Sequence, residues 1–304
     1  MQRYLVTGGT GFVGHALCQR LVRHGAALTV LSRDPGRASS LLPAGIRSIS
    51  SLDQLAPTEH FDVIINLAGE PIADKRWSAK RKRVLEASRI ELTRNLVGWM
   101  CASSRQPRVF VSASAIGYYG DQGERTVTED SEPHLEYSHQ LCAAWEAAAL
   151  RAADAGVRTA LLRIGLVVGP AGGFLARMLL PFRLGLGGPI GSGRQWMSWI
   201  HRNDLLRLIA LLVEREDLAG VFNATAPTPV TGREFADTLG RVLRRPAIVP
   251  APALLFRVVF GEMSRLLLTG QRVLPRRAAA AGFQFEFPDL ESALRDVLEK
   301  PRPT

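Results

Sequence analysis

The residues of this 304-residue chain that point most directly to chemistry are three glycines near its start, Gly8, Gly11 and Gly14. They follow a short apolar run and open a helical pattern from Phe12 to His24. In this spacing the first glycine permits a tight turn, the second lets backbone approach a pyrophosphate, and the third lets helix and strand pack closely. A turn that binds nothing is the alternative, but a strand before it and a helix after it favour a dinucleotide. The expected contacts are Gly8, Thr10, Gly11, Phe12, Val13 and Gly14.

The end of the second apolar run, Ala27 to Ser32, indicates which dinucleotide is bound. An acidic residue at such a strand end suits the ribose 2′-hydroxyl of NAD, whereas a small polar residue followed by arginine suits a 2′-phosphate. Ser32 and Arg33 stand here, and Arg37 adds a second nearby charge. Asp34 is one position late for the NAD role, and we interpret it as a turn residue. We therefore expect NADP(H), with Ser32 and Arg33 at its phosphate.

Later strand ends supply further candidate contacts. Phe61 to Leu67 is almost continuously apolar, which is typical of a parallel strand buried on both faces. It runs into an alanine and a glycine, where backbone can lie against a flat ligand. Two more apolar runs, Pro107 to Val111 and Val157 to Gly165, end at the same edge of the predicted sheet. The residues expected to line the cofactor from these ends are Leu67, Ala68, Gly69, Glu70, Ser112 and Ile164.

The elements that must position these residues alternate between strands and helices. A weak strand at Ile46 to Ile49 and a long amphipathic pattern from Ser78 to Ser104 complete the βαβ succession. The predicted fold is therefore α/β, a Rossmann-type doubly wound parallel sheet over residues 1–170. Residues 171–304 are predicted to form a smaller C-terminal substrate lobe, whose extension from about 253 is helical. Its predicted strands are Gly220 to Ala224 and Ala247 to Pro250. Its predicted helical segments are Arg233 to Leu243, Ala253 to Gly270, Arg272 to Ala281 and Leu290 to Leu298, with Pro275 and Pro288 as breaks.

Composition limits the class of protein. The apolar stretch Ala253 to Leu268 carries three charged residues, so we expect neither a membrane span nor a membrane partner. The three cysteines are far apart and lie in helical patterns, which indicates buried thiols in a cytoplasmic setting, with no disulfide and no metal site. A formal charge of +10 raises the question of nucleic acid, but the basic run Lys80 to Arg83 lacks interleaved aromatic residues. We therefore expect no nucleic-acid partner.

Several of these segments together resemble a known family. Three segments look like the extended short-chain dehydrogenase/reductase superfamily, which includes nucleotide-sugar epimerases. They are Thr7 to Gly14, Asn66 to Gly69, and Ser112 to Ser114 followed by Tyr119 and Gly120. A narrower similarity, to an epimerase-like subfamily with its own C-terminal extension, is carried by Asn66 to Ile72, Arg76 and Trp77, Ser88 to Ile90, Leu141 and Cys142, Trp145 and Glu146, and Gly270 to Pro275. The resemblance implies a Rossmann fold, a nicotinamide cofactor and a homodimer paired through the long helices.

The catalytic residues that the resemblance implies are incomplete. The superfamily uses a serine after the fifth strand and a Tyr-x-x-x-Lys unit, in which lysine holds the nicotinamide ribose and lowers the pKa of the tyrosine. Ser114 and Tyr137 match the serine and the tyrosine, but Leu141 occupies the lysine position. An unassisted tyrosine, with a pKa of about 10, is ionised in only about one molecule in a thousand at pH 7. A protonated Tyr137 still suits the reduction of a carbonyl, and His139, Tyr118 or Tyr119 are alternative proton donors.

The substrate side is less determined. Nucleotide-sugar enzymes of the superfamily commonly carry a diphosphate-clamping arginine where this chain has Met197, so a sugar nucleotide is one substrate among several. Trp196 and Trp199 suit either an aromatic wall or the core, and the loop Gly185 to Gly193 suits either a lid or a connection. We expect an NADP(H)-dependent oxidoreductase or epimerase-like enzyme acting on a small hydroxyl, carbonyl or sugar-type compound. The alternative is an NADP(H)-binding sensor or partner-binding protein without turnover.

Overall fold

The computed structural model describes residues 1–56 and 58–299, and a parallel sheet forms the centre of the molecule. The strands in chain order are β1 (Arg3–Thr7), β2 (Ala27–Leu31), β3 (Arg47–Ile49), β4 (Val63–Asn66), β5 (Val109–Ala115), β6 (Thr126–Val127), β7 (Arg158–Ile164), β8 (Leu166–Val168), β9 (Trp196–Met197), β10 (Trp199–His201), β11 (Gly220–Ala224), β12 (Val230–Thr231) and β13 (Arg272–Val273). The central sheet has the order β11-β7-β5-β4-β1-β2-β3, with every neighbouring pair parallel.

The order of the strands reverses between β1 and β4, because the chain first winds outward to β3 and then returns to the other side of β1. At such a switch point the connections leave the carboxyl ends in opposite directions and open a crevice, where ligands of doubly wound folds bind. The α/β Rossmann-type fold predicted from the sequence is confirmed.

Helices cover both faces of the sheet. In chain order they are α1 (Phe12–Arg23), α2 (Pro35–Leu41), α3 (Ala79–Glu86), α4 (Leu92–Ala102), α5 (Tyr137–Leu150), α6 (Gly173–Arg183), α7 (Arg202–Glu214), α8 (Gly232–Leu243), α9 (Ala253–Phe260), α10 (Arg265–Leu268), α11 (Arg276–Ala280) and α12 (Leu290–Glu299). A π-helical turn, Ala87–Glu91, joins α3 to α4, so the long helix predicted from Ser78 to Ser104 is interrupted in its middle.

The two faces of the sheet are filled by alternate residues of the same strands. Val63 and Val109 pack with α1 and α7 on one face, whereas Ile64 and Phe110 pack with α4 on the other. Successive side chains of a strand point to opposite faces, so a strand covered by helices on both sides must be apolar throughout. This explains the unbroken apolar run that ends at Asn66.

Two predictions about the C-terminal part are wrong. Residues 247–250 form no strand and are joined to the rest only by loop contacts and one bridge, between Ile190 and Ala251, because prolines at 246, 250 and 252 remove backbone donors. Residues 272–273 are not helical, since they form β13, which pairs in parallel with β6. The helix predicted there begins only after Pro275, as α11.

The C-terminal extension is anchored to the Rossmann part through a buried carboxylate. Glu129, two residues beyond β6, accepts backbone N–H groups from Asn223 in β11 (3.0 Å) and from Arg277 in α11 (3.2 Å). The proposed boundary at residue 170 stays a prediction, and the last five residues of the proposed second lobe lie outside the described residues. Both β11 and α7 come after this boundary, and they pack on the central sheet.

None of the helices in the described ranges is long and apolar enough to cross a membrane. The three cysteines are free thiols, and two of them, Cys18 and Cys142, are buried. Cys101 is exposed near the end of α4, so the prediction that all three are buried is wrong for this residue.

Candidate functional site

The turn after β1 has a backbone shape that only glycine permits. Gly8 has a φ of +70°, and a β-carbon on it would lie 2.6 Å from the backbone of Leu67. A β-carbon on Gly14 would lie 2.1 Å from the carbonyl oxygen of Gly8, so this glycine lets α1 pack directly on the turn. Gly11 is the N-cap of α1 and supplies no side-chain cap, which leaves the first N–H groups of the helix for a ligand. The loop therefore has the form that a pyrophosphate requires.

The remaining predicted residues of this turn surround it. Thr10 is exposed, while Phe12 and Val13 are half-buried in the first turn of α1. The ring of Phe12 supports the loop after β8, since β-carbons on Gly172 or Gly173 would lie within 3.0 Å of it. Phe12 therefore fixes this loop against the first turn of α1.

The ends of β1, β4 and β5 are tied together by a buried polar network. The Thr7 hydroxyl donates to Asn66 Oδ1 at 2.6 Å, and the Asn66 amide donates to the hydroxyls of Thr93 (2.8 Å) and Ser112 (3.2 Å). All four side chains are buried, so each hydrogen bond replaces water that the group has lost. Ser112, predicted as a cofactor contact, thus lies within the framework beneath the crevice, and Ile164 lies half-buried at the end of β7.

The predicted phosphate residues lie at the end of β2. Ser32 bonds to the backbone of Asp34, and the Asp34 side chain caps α2 by accepting from the N–H of Arg37, in line with its interpretation as a turn residue. The Arg33 side chain is 88% exposed and its Nη1 lies 3.2 Å from Glu70 Oε2. A guanidinium held so lightly is free to turn towards a phosphate.

Glu70 is shared between two arginines. Its Oε1 accepts from Arg81 at 3.1 Å while its Oε2 faces Arg33, and the hydrogen bond from Arg81 keeps the pKa of Glu70 below its usual value. Glu70 follows Leu67, Ala68 and Gly69, which leave the carboxyl end of β4 beside the Gly8 turn. The carboxylate thereby links the end of β2, through Arg33, to the segment that leaves β4.

Ser114 lies at the end of β5 and is already engaged by protein. Its hydroxyl donates to Glu146 Oε1 at 2.6 Å, and the same carboxylate receives Arg163 Nε at 2.9 Å and Nη2 at 2.8 Å. All three side chains are buried. Glu146 and Arg163 were not expected as partners of Ser114. In the sequence, Glu146 belongs to a segment that carries the family resemblance, and Arg163 lies within the apolar run Val157 to Gly165.

Tyr137 begins α5, and its hydroxyl lies 3.4 Å from both the Lys82 carbonyl oxygen and Glu86 Oε1. Desolvation, and then the nearby charge of Glu86, raise the pKa of Tyr137 well above its ordinary value. The ring packs edge-on against Trp77, with centroids 5.0 Å apart. Tyr137 is therefore protonated at neutral pH. Its hydroxyl contacts Lys82 and Glu86, whereas the Ser114 hydroxyl contacts Glu146.

Leu141 is a core residue. It is 3% exposed and packs in a cluster with Trp77, Trp145 and Met263, the last from the C-terminal extension. Another face of α5 meets the turn that follows β5, where a β-carbon on Gly117 would lie 3.4 Å from the Ser138 β-carbon and 3.7 Å from Cys142 Sγ. The match to Tyr-x-x-x-Lys does not predict which face of α5 contacts this part of the protein.

The alternative proton donors are also held by protein. The Tyr119 hydroxyl is buried and donates to Asn223 Oδ1 at 2.7 Å, and burial raises the pKa of Tyr119 to about 12. His139 Nδ1 lies 2.7 Å from the Tyr118 carbonyl oxygen. On the substrate side, Trp199 is fully buried and belongs to the core, whereas the Trp196 indole donates to Glu124.

The fold and the glycine turn together define a Rossmann protein built to bind a dinucleotide at its switch point. A family model described as "NAD dependent epimerase/dehydratase family" matches residues 4–224, and a model described as "Domain of unknown function (DUF1731)" matches residues 251–297. The chain belongs to the NAD dependent epimerase/dehydratase family. The resemblance drawn from its motifs, including the C-terminal extension, is confirmed.

Relatives match along nearly the whole chain. The epimerase family protein SDR39U1 of Mus musculus is 40% identical over 300 residues, covering 97% of this chain and 99% of the relative. YfhF of Bacillus subtilis is 38% identical over 300 residues, covering 96% and 97%. A homologue from Arabidopsis thaliana whose name includes "chloroplastic" is 40% identical, covering 97% of this chain and 86% of the relative.

Solved structures agree with the fold. Human SDR39U1 (isoform 2), crystallised with NADPH, superimposes with a TM-score of 0.90 at 38% identity, covering 98% of this chain and all of that one. A nucleoside-diphosphate sugar epimerase from Corynebacterium glutamicum has a TM-score of 0.77 at 28% identity, covering 98% of this chain and 58% of that one.

Proposed function

We propose that this chain is an NADP(H)-dependent enzyme of the oxidoreductase or epimerase-like type, acting on a small hydroxyl, carbonyl or sugar-type substrate. The observation that carries the proposal is the glycine turn, where Gly8 and Gly14 admit no β-carbon and the N-terminus of α1 is uncapped. Arg33 beside the end of β2 supports the choice of NADP(H) over NAD, as does the NADPH bound to the human relative.

The cofactor would supply hydride, and the chain would supply orientation and a proton. Gly8, Gly11 and the N-terminus of α1 would hold the pyrophosphate, and Arg33 the 2′-phosphate. In the proposed reaction Tyr137 acts as a general acid towards a carbonyl, a role that its raised pKa permits. Ser114 would position the substrate oxygen, and to donate to a carbonyl oxygen its hydroxyl would have to turn away from Glu146, which it contacts in this structure.

The proposal is tested by incubating the protein with NADPH and pooled aldehydes, ketones or sugar nucleotides while following the absorbance of the reduced nicotinamide. Oxidation in one pool that disappears in Tyr137→Phe would support both the activity and the proton donor. Ser103→Ala, at the end of α4 away from the crevice, is the matched control for loss of a hydroxyl and should behave like wild type. Oxidation that persists in Tyr137→Phe would remove this residue from the mechanism.

A second candidate function, NADP(H) binding without turnover, is favoured by one observation. Leu141 stands where the superfamily has lysine. Its uncharged side chain packs in the core and cannot supply a positive charge to a cofactor. A sensor or a partner-binding protein would need the glycine turn but no activated tyrosine. Tight NADPH binding without oxidation in any substrate pool would favour this function.

We also propose a cytoplasmic setting with a small-molecule substrate, no nucleic-acid partner and a homodimer paired through the long helices. The three free thiols support a reducing compartment, although the name of the Arabidopsis relative places that protein in the chloroplast. Light scattering at several concentrations tests the dimer, and a monomer mass throughout would contradict it.

A further inference from the structure

Arg89 is a half-buried cation that forms no ion pair with any carboxylate of residues 1–56 or 58–299. Its guanidinium donates to the carbonyl oxygens of Glu70 (2.9 Å) and Leu85 (3.3 Å) and to the Ser88 hydroxyl (3.3 Å). A guanidinium has five N–H donors, so these neutral acceptors leave capacity for another partner. Because this guanidinium is partly desolvated and no carboxylate of the described residues pairs with it directly, its charge costs folding free energy, which an anionic or oxygen-rich ligand beside it would offset.

The local backbone is shaped to hold this side chain in place. Arg89 lies in the π-helical turn Ala87–Glu91, a local departure from α-helix that is frequent at functional sites. Ser88 Oγ accepts the N–H of Glu70 at 3.0 Å while Arg89 donates to the carbonyl oxygen of the same residue. Ser88 and Arg89 thus both hydrogen-bond the backbone of Glu70, in the segment that leaves β4 and contains predicted cofactor contacts.

Arg89 lies between that segment and α5. A β-carbon on Gly69 would lie only 3.0 Å from Arg89 Cζ, so glycine is needed for the guanidinium to reach the loop. On its other side the guanidinium stands over the Trp145 ring of α5, with Cζ 5.4 Å from the ring centroid. Arg89 thus lies between the loop after β4 and α5. In the superfamily that the sequence resembles, the lysine that holds the nicotinamide ribose is on the helix that corresponds to α5.

We propose that Arg89 binds the nicotinamide half of NADP(H), through the phosphate or the ribose oxygens of that half, and supplies the positive charge that Leu141 does not. The assignment rests on the proposed cofactor. Arginine stays protonated, so the residue acts by holding the ligand and by its charge, not by moving a proton. Its charge also lies near Tyr137 and favours the ionised form of that phenol.

The proposal is tested by calorimetric binding of two probes, NADPH and adenosine 2′,5′-diphosphate, which has the 2′-phosphate and adenine but no nicotinamide half. Arg89→Met should weaken NADPH binding by about tenfold or more, as expected for loss of a charged hydrogen bond. Binding of adenosine 2′,5′-diphosphate should not change. Arg89→Lys should recover part of the affinity for NADPH, and Arg94→Met, which removes an exposed arginine of α4, should bind both probes like wild type.

Arg89→Gln is the second variant, because its amide keeps a donor for the Glu70 carbonyl while the charge is lost. Circular dichroism of each variant checks that the fold is retained. Equal weakening of both probes, or full NADPH affinity in folded Arg89→Met and Arg89→Gln, would overturn the assignment of Arg89. Wild-type protein that binds neither probe would instead overturn the proposed function, and the Arg89 assignment with it.

Discussion

Glu146 and Arg163 form a two-point ion pair inside the protein, with Arg163 Nε 2.9 Å from Glu146 Oε1 and Nη2 2.8 Å from Oε2. The pair joins α5 to β7, and the Ser114 hydroxyl donates to the same carboxylate from β5. Because the strand ends and the helix are fastened at one carboxylate, this pair sets how the candidate catalytic serine is presented.

Breaking this pair should destabilise the fold strongly. Glu146→Gln leaves Arg163 buried without a counter-charge, so we expect the free energy of unfolding to fall by about 3–5 kcal/mol. Urea denaturation at neutral pH measures the change. Asp154→Asn is the control, since its partner Arg151 is exposed, and its effect should stay below about 1 kcal/mol. Similar losses in the two variants would mean that the buried pair is not a special contributor.

Placing the lysine of the superfamily at position 141 should lower the stability of the fold, measured by urea denaturation. Leu141→Lys places an ammonium among Trp77, Trp145 and Met263, and we expect a loss of about 2–5 kcal/mol of unfolding free energy. Leu150→Lys, at the exposed end of the same helix, is the matched control and should change stability by less than about 0.5 kcal/mol. A folded, fully stable Leu141→Lys would show that this side chain can leave the core.

The 2′-phosphate assignment predicts a difference between two cofactors. Arg33→Ala should weaken NADPH binding by roughly tenfold to a hundredfold, because a charged donor to the phosphate is lost, and should leave NADH binding unchanged. Fluorescence titration with each cofactor measures both constants. Arg23→Ala, near the exposed end of α1, should alter neither. Equal losses for NADPH and NADH in Arg33→Ala would refute the assignment.

Glu70 should contribute stability that depends on pH. Its pKa is lowered in the folded protein, chiefly by the hydrogen bond from Arg81, so the stabilisation is fully present above its ordinary value of 4.5. It is lost as the pH falls through the lower folded value. The difference in unfolding free energy between wild type and Glu70→Gln should therefore be present at pH 7 and shrink as the pH is lowered below 4.5. A difference that persists in acid would mean that the carboxylate charge is not its source.

Local patterns specify the backbone of the glycine turn, whereas the contacts of the candidate catalytic residues depend on the tertiary fold. Gly8, Gly11 and Gly14 act within one short segment, so their spacing alone specifies the turn. Ser114 and Glu146 lie 32 residues apart, and their contact depends on which face of α5 meets β5. A shift of one residue along a helix rotates a side chain by about 100°, which a short motif match does not detect. For this reason the sequence shows that Leu141 departs from the Tyr-x-x-x-Lys pattern but does not show that Arg163 shares the carboxylate bound by Ser114.

The position of Arg89 shows the same limit in a different form. The sequence shows Arg89 within Ser88 to Ile90, one of the segments that resemble the subfamily. The position of its guanidinium, however, depends on a π-helical turn that has no simple periodic signature. That Arg89 forms no direct ion pair within residues 1–56 and 58–299 is likewise a property of the folded structure.

The carboxylate of Glu129 has a consequence for how the chain is made. Glu129 lies 148 residues before Arg277, whose backbone N–H donates to the Glu129 carboxylate. At roughly 5–20 residues per second, a ribosome needs about 7–30 s to synthesise the chain between them. During that interval β6 has no partner strand and the nascent Rossmann domain exposes the surface that β13 and α11 later cover. The nascent domain therefore has to remain soluble while unfinished, and chaperones would have their clearest opportunity to bind it in that period.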